Sequence, residues 1–407
     1  MRGMTERLTI GERVAWYRRR RGLSQEVLGG LVGRTTDWLS KVENNRIHVD
    51  RLSVVRSLAD ALDVSMGDLL AEPSLLEWTD TERGGTVPAL RAALMDYRQL
   101  SPVLAGAGQL DAPELDAVAS DVADVWEAYQ TSQYARVTRR LPFLLADAQA
   151  AVLSLDGDAL ARAHGLLAMS YQASAMTLTK IGEADLAWIA ADRGLAAAQR
   201  SGDDLIVGSL FRSVTHALLS NGRFAASVQL TRDAGGYLQT SLVSASPALL
   251  SVYGTLFLAG AMAASRTEDR STTREFLAEA DTAARRLGLD ANHVWTAFGP
   301  TNVAIHRVST AMELGDVQVA VDLGPRIDTR ALPVERRVRH SLEMARAYSA
   351  WNRRDDALTT LLEAERLAPE QVRYHYLARE LVLSWIRNQR RRPSSELSQL
   401  AGRLRVA

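Results

Sequence analysis

Side chains able to do chemistry fall into two sets in this 407-residue chain. The first is compressed into residues 24–46: Ser24, Gln25, Thr35, Thr36, Asp37, Ser40, Lys41 and Arg46, hydrogen-bonding and cationic groups that recognise and do not form a nucleophile–base pair. The second is spread along the rest of the chain: Gln172, Arg212, His216, Asn302, Arg339 and Arg346. Catalytic signatures are lacking: there is no H-E-x-x-H pair, no G-x-S-x-G elbow and no G-x-x-x-x-G-K-S/T phosphate loop. With no cysteine, thiolate chemistry, disulfides, iron–sulfur clusters and a cysteine-based zinc site are excluded. His293, Trp295, His306 and Arg307 lie close in sequence without an obvious carboxylate partner, so no metal site is expected there. The chain reads as a non-enzyme without cofactors.

The first set is positioned by two short helices. Ser24 is placed to N-cap a helix from about Gln25 to Val32, because its oxygen can accept an orphan N–H of the first turn. Gly33 supplies the left-handed residue that ends it. Thr35 or Thr36 then caps a second helix through Trp38, Leu39 and Val42, closed by Asn44-Asn45. Gly29, four residues before Gly33, falls where the two helices approach closely. Helix, glycine turn and helix in about 20 residues is the helix-turn-helix pattern. Around it, Ile10, Val14 and Tyr17 form one apolar stripe of a helix over about 10–21. Asp50 is expected to cap a helix through Leu52, Val55, Leu58 and Leu62, and Ser65 a last short one ending at Leu69-Leu70.

These residues carry a resemblance. Ile10 to Leu70 resembles the Xre/Cro (lambda-repressor-like) DNA-binding domain over its whole length: IGERVAWYRRRRGLSQ, the glycine turn, WLSKVE and DRLSVVRSLADALDVSMGDLL fall at the family's spacing. The resemblance implies a five-helix domain whose recognition helix enters the major groove. Thr36 and Asp37 would then stand at base edges with Ser40 and Lys41 next along the same side, Gln25 would bond a phosphate, and Thr35 and Arg46 would belong to the same DNA-binding surface. Asp37 would accept from a cytosine amino group or simply stabilise the helix N-terminus. Arg18 would pair with Glu43, tying the first helix to the end of the recognition helix. Two positions depart from the family: Gly29 replaces the usual Ala, at up to about 1 kcal/mol of helix stability, and Arg34 replaces an apolar turn residue. One such domain makes few phosphate contacts, so a homodimer with recognition helices about 34 Å apart on a near-palindromic site is expected.

Length suggests two or three domains. Formal net charge is zero, so attraction to nucleic acid must come from a local patch, here Arg18–Arg21, Arg34, Lys41, Arg46 and Arg51. No signal peptide opens the chain, so a cytoplasmic location without a membrane is expected. The charge-free run from Ala234 to Ser265 is the one stretch long enough to span a bilayer; a fully buried helix is the alternative, and the expected one.

From Pro88 onward the pattern is helical and rich in small residues. Turns recur at Ser132-Gln133-Tyr134, Ile181-Gly182-Glu183, Asn221-Gly222-Arg223, Leu314-Gly315-Asp316 and Asn352-Arg353-Arg354, about 40 residues apart, with two periods in the longest gap. Two helices per unit at that period indicate an α-solenoid. The unit Met344-Ala345, Tyr348, Ala357, Leu361, Ala364, Pro369 matches the tetratricopeptide spacing, and about six units fit. Registering them places the second set on a concave face, where it binds a ligand or is an ordinary solvated surface.

The expected architecture is all-α: residues 1–72 as the DNA-binding domain, 73–89 a linker with Trp78 as an apolar anchor, 90–369 tetratricopeptide-like repeats, and 370–407 a cap or dimer contact led by one long helix over Glu370–Arg390. The layout is similar to bacterial regulators of actinobacterial type, arginine almost replacing lysine, in which the array senses a peptide, small molecule or protein partner at its concave face. The alternative is an interaction scaffold tethered to double-stranded DNA.

Overall fold

The computed structural model describes residues 8–70, 86–96, 113–388 and 393–406. These are helical almost throughout; among them the extended pairing is confined to an isolated bridge between Ala291 and Phe298. The fold is all-α.

Five short helices come first: α1 (Ile10–Arg20), α2 (Gln25–Leu31), α3 (Thr36–Glu43), α4 (Leu52–Leu62) and α5 (Met66–Leu70). Their starts are fixed locally. Thr9 and Glu12 form a reciprocal capping box at α1. Ser24 Oγ accepts from Val27 N–H at 3.1 Å, and Thr35 Oγ1, not Thr36, from Trp38 N–H at 3.1 Å. Ser65 and Asp68 cap α5 reciprocally. The expected Asp50 cap is not made. Arg51 occupies the N-cap position of α4 with no side-chain bond, while Asp50 faces Arg346, 3.1 Å away. The charged partner wins because the N–H that Asp50 would have served, that of Leu52, is served by Glu313 at 3.3 Å. Leu28, Leu39, Val42, Val55, Leu58, Leu62 and Leu69 fill the small core, each worth about 1.5–3 kcal/mol of apolar burial.

The array consists of six helix pairs: α7 (Leu115–Gln130) with α8 (Tyr134–Ser154), α9 (Gly157–Lys180) with α10 (Ala184–Ser201), α11 (Asp204–Ser220) with α12 (Phe224–Gln239), α13 (Pro247–Arg266) with α14 (Arg270–Leu287), α15 (Pro300–Leu314) with α16 (Val317–Leu323), and α17 (Val334–Ala350) with α18 (Arg354–Leu367). Every turn flagged in the sequence lies inside a pair; the long gap holds one more, between Arg266 and Arg270. Before the pairs, α6 (Thr86–Leu94) begins within the expected linker. Its Val87, Leu90 and Leu94 are buried, and it packs on α8 and α10, so apolar spacing overrides the flanking glycines. Trp78 and residues 73–85 lie outside the described residues.

The charge-free run forms α13. It is long and apolar enough to cross a membrane, and here it is enclosed by α11, α12, α14 and α15, with Leu249 to Ser265 buried throughout. A Cβ on Gly254 would stand 1.9 Å from the Phe298 ring, so glycine is required where that ring crosses the helix.

Succeeding first helices of the pairs touch in order, α7 to α9, α9 to α11, α11 to α13, α13 to α15 and α15 to α17, and α17 then touches α7. One superhelical turn thus closes on itself. The expected single helix over 370–390 is two, α19 (Pro369–Tyr374) and α20 (Tyr376–Arg387), followed by α21 (Ser395–Arg403). The break is at His375, whose backbone is extended and whose Nδ1 accepts from Leu377 N–H at 3.2 Å, capping α20. Residues 389–392, within the expected helix end, lie outside the described residues. α19 completes the closure: Ser132 Oγ donates to Gln371 Oε1 at 2.7 Å, and Ala135 N–H donates to Glu370 Oε2 at 2.9 Å. Among the described residues the concave face expected from the repeat pattern is therefore not an open groove, because the last inner helix meets the first.

Candidate nucleic-acid interface and inner polar cluster

The helix-turn-helix is assembled around a three-residue ionic network. Arg18 Nη2 donates to Glu43 Oε2 at 2.9 Å and its Nε to Oε1 at 2.5 Å; Gln25 Nε2 donates to the same Oε2 at 2.7 Å. The hydrogen bonds it donates to Glu43 raise the Arg18 pKa above its ordinary value. α1, α2 and α3 are thus locked at the point where the motif turns. The expected Arg18–Glu43 pair is present. Gln25, expected at a phosphate, spends its amide on Glu43, which leaves one of its two amide protons for DNA.

Three glycines set the spacing. Gly33 has φ +65°, the left-handed turn residue. A Cβ on Gly29 would stand 2.9 Å from Arg34 O, and one on Gly11 would stand 2.1 Å from Val42 O, so α1 and the turn both press on their neighbours through bare backbone. Gly11 gave no such signal in the sequence. Arg34 lies over the Trp38 ring at 5.6 Å, a cation–π contact that explains how the turn tolerates a charge.

α3 buries Leu39, Val42 and Glu43 and presents the other side outward. Thr35, Thr36, Asp37 and Arg46 are exposed, Ser40 and Lys41 half-buried, and Lys41 Nζ lies 2.7 Å from Asp37 Oδ2. The expected polar face is thus one contiguous surface, with Asp37 and Lys41 already paired. It stays open while the domain is docked. The docking contacts come from elsewhere: Ile10 N–H to Glu380 Oε2 at 3.1 Å, Arg387 Nε to Glu12 Oε1 at 3.1 Å, His48 with Ser384, Arg56 with Gly222 O, and Asp50 with Arg346. Phe224, Leu219, Ala259, Met262 and Ala263 join the domain's own core across this boundary.

All six array residues singled out in the sequence stand on inner helices, and three of them hold protein partners there. Arg346 Nη1 lies 3.2 Å from Glu313 Oε1 and 3.3 Å from Glu343 Oε2. Burial opposes that charge, but Asp50, Glu313 and Glu343 raise its pKa well above the ordinary value. Gln172 Nε2 donates to Ser209 O at 2.8 Å and Asn302 Nδ2 to Ala297 O at 2.9 Å, both fully buried. Each of these three has a protein partner on a neighbouring helix, close by in sequence or in the docked domain, while Gln172 Oε1, Asn302 Oδ1 and Arg346 Nη2 keep none among the described residues. Arg339 is held by Glu343 at 2.7 Å and by His375. Arg212 and His216 face a cluster the sequence did not announce, made of Tyr129 on α7, Lys180 on α9, His306 on α15, and Glu335 and Arg336 on α17. Lys180 was the one available signal, being one of two lysines in the chain. It pairs with Glu335, whose carboxyl is brought down to about 2 although burial alone would raise it, because Lys180 and Arg336 outweigh that cost. Among the described residues no cluster suited to a metal ion occurs.

Residues 9–72 match the family described as a helix-turn-helix domain. A search of curated proteins finds no match to the chain. The chain carries a helix-turn-helix domain at its N-terminus, and that domain marks it as a DNA-binding regulator.

Proposed function

We propose that the chain is a sequence-specific transcriptional regulator of the Xre type, cytoplasmic and dimeric, whose repeat array resembles tetratricopeptide repeats and senses an effector. One observation carries this reading: the polar face of α3, from Thr35 to Lys41, stays open while the rest of the domain is fixed to the array. A domain docked by α1, the 48–52 segment, α4 and α5 is oriented by whatever the array does. Two copies held by two arrays would set the separation of the recognition helices, about 34 Å for adjacent half-sites. The closed interior favours a small molecule over an extended peptide as the effector.

The test is selection of bound genomic fragments with the full chain, repeated with Thr36→Ala and Lys41→Ala. The expected result is a near-palindromic site enriched by the parent protein and lost or altered in the variants. Enrichment of one unchanged site by all three proteins would overturn the placement of the recognition helix.

A further inference from the structure

The inner cluster has more positive charge than its own carboxylates answer. Among the described residues, Lys180, Arg212 and Arg336 face a single carboxylate, Glu335; Glu343, further along α17, is held by Arg339 and Arg346. Lys180 takes one oxygen of Glu335, and Arg336 Nε lies 3.8 Å from the other, beyond hydrogen-bond range. Arg212 has no carboxylate. It is 3% exposed, and neither its Nε–H nor its Nη2 finds an acceptor among the described residues; the Nε–H of Arg336 is likewise without one. Nε and Nη2 are the two nitrogens of the side-on face of a guanidinium, the face that grips a carboxylate or phosphate with two parallel hydrogen bonds. Burying such a fork unanswered is costly.

The cluster is not sealed from water. His216, His306 and Arg336 keep part of their surface accessible, yet they stand on α11, α15 and α17, which border the interior together with α7, α9 and α13. Burial and the neighbouring cations hold both imidazoles below their ordinary pKa, His306 at about 3, so at neutral pH they present a neutral ring nitrogen to this space.

We propose that the space enclosed by α7, α9, α11, α15 and α17 is a binding site for a small molecule bearing a carboxylate or phosphate group, held side-on by the Arg212 fork, with Lys180 and Arg336 supplying the remaining positive charge. This deepens the sensing reading by giving the effector its chemistry, and it is tested without DNA. The unfolding temperature of the full chain is measured in inorganic phosphate, in succinate and in sodium chloride at matched ionic strength. The expected result is a saturable rise of about 3–5 °C at a hundredfold excess over Kd in one of the two oxyanions, which also separates phosphate from carboxylate. Chloride gives no comparable rise. Arg212→Gln removes the response and, because it deletes an unanswered buried charge, unfolds no lower than the parent protein without added anion. Arg212→Lys, which keeps the charge and loses the fork, weakens the response at least tenfold in concentration. Should the variants not fold, the arginine Nε–H signals of the ¹⁵N-labelled parent protein decide: one of them moves on titration with the active anion. Equal rises in all three salts, a full response in Arg212→Gln, or arginine signals that stay still overturn the site. DNA affinity with and without the active anion is the separate arm. Binding with unchanged DNA affinity keeps the site and removes it from sensing, whereas intact DNA selection without anion binding removes the site and leaves the regulator.

Discussion

Arg346 Nε and Asp50 Oδ2 are 3.1 Å apart across 296 residues of sequence, and they join the last inner helix of the array to the residue that follows the helix-turn-helix. The same guanidinium holds Glu313 and Glu343, all three side chains being almost wholly buried. Arg346→Leu therefore removes the nearest cation from the buried Glu313 and one of two from Glu343, which keeps Arg339, and is expected to cost about 3 kcal/mol. Chemical unfolding monitored by circular dichroism measures this. Asp50→Asn removes only the half-buried partner; it is expected to cost about 1 kcal/mol and to speed amide exchange at the start of α4. Unchanged exchange there would show that docking does not depend on the pair.

The Asp37–Lys41 pair, 2.7 Å across one helical turn on the exposed face of α3, puts a carboxylate where phosphates must come. Asp37→Asn frees Lys41 and removes that repulsion, so non-specific DNA binding tightens while the ratio of specific to non-specific affinity falls. Lys41→Ala lowers the slope of log K against log salt by about 1. Fluorescence anisotropy across a salt series reads both. Uniformly weaker binding by Asp37→Asn on every sequence would sink this assignment.

The fold was legible where local chemistry decides it. Ser24, Gly33 and Ser65 mark helix ends through interactions within a few residues, and the five flagged turns all fall inside helix pairs. What escaped the sequence is tertiary. Asp50 reads as a cap because a capping side chain and an ion-pair partner look alike until Arg346 is in place. The inner polar residues read as a groove because helix periodicity assigns a face but not what lies opposite it. Gln172, Asn302 and Arg346 find partners in neighbouring elements, and closure of α17 onto α7 brings Glu335 and Arg336 to Arg212 and Lys180. Long-range charge balance has no local signature.

The neighbouring glycines of α2 separate propensity from packing. A Cβ on Gly30 meets nothing within 4 Å, so Gly30→Ala should stabilise the protein by about 1 kcal/mol through helix propensity alone. At Gly29 the same gain is opposed by backbone: Arg34 O would lie 2.9 Å from the new carbon. Moving the turn costs about 1–3 kcal/mol, so Gly29→Ala is expected to be destabilising although alanine is the better helix former. Urea unfolding of the two variants gives opposite signs; stabilisation by both would mean that the turn yields freely.

Glu380 accepts the Ile10 N–H at 3.1 Å, where α1 docks on α20, and burial pushes its carboxyl up to about 7 against the opposing pull of Arg13. Arg13, Glu12, Arg379 and Arg387, which bonds Glu12, are the other charges at this contact. Its folded pKa exceeds the ordinary value of 4.5, so the folded protein binds the proton more tightly than the unfolded chain. Stability contributed here is present below about 4.5 and is lost as pH rises through 7, with a slope of at most about 1.4 kcal/mol per pH unit. His216 and His306, held below their ordinary values, act in the opposite direction, since the unfolded chain then binds more protons below about 6.5. The comparison must therefore be a difference. Glu380→Gln cannot titrate, so its stability relative to the parent protein should rise between about pH 5 and 7 and level off above that, while the histidine contribution cancels. Urea unfolding at half-unit pH steps measures that difference, and a flat line across the window would mean that Glu380 is ionised in the docked protein from the start.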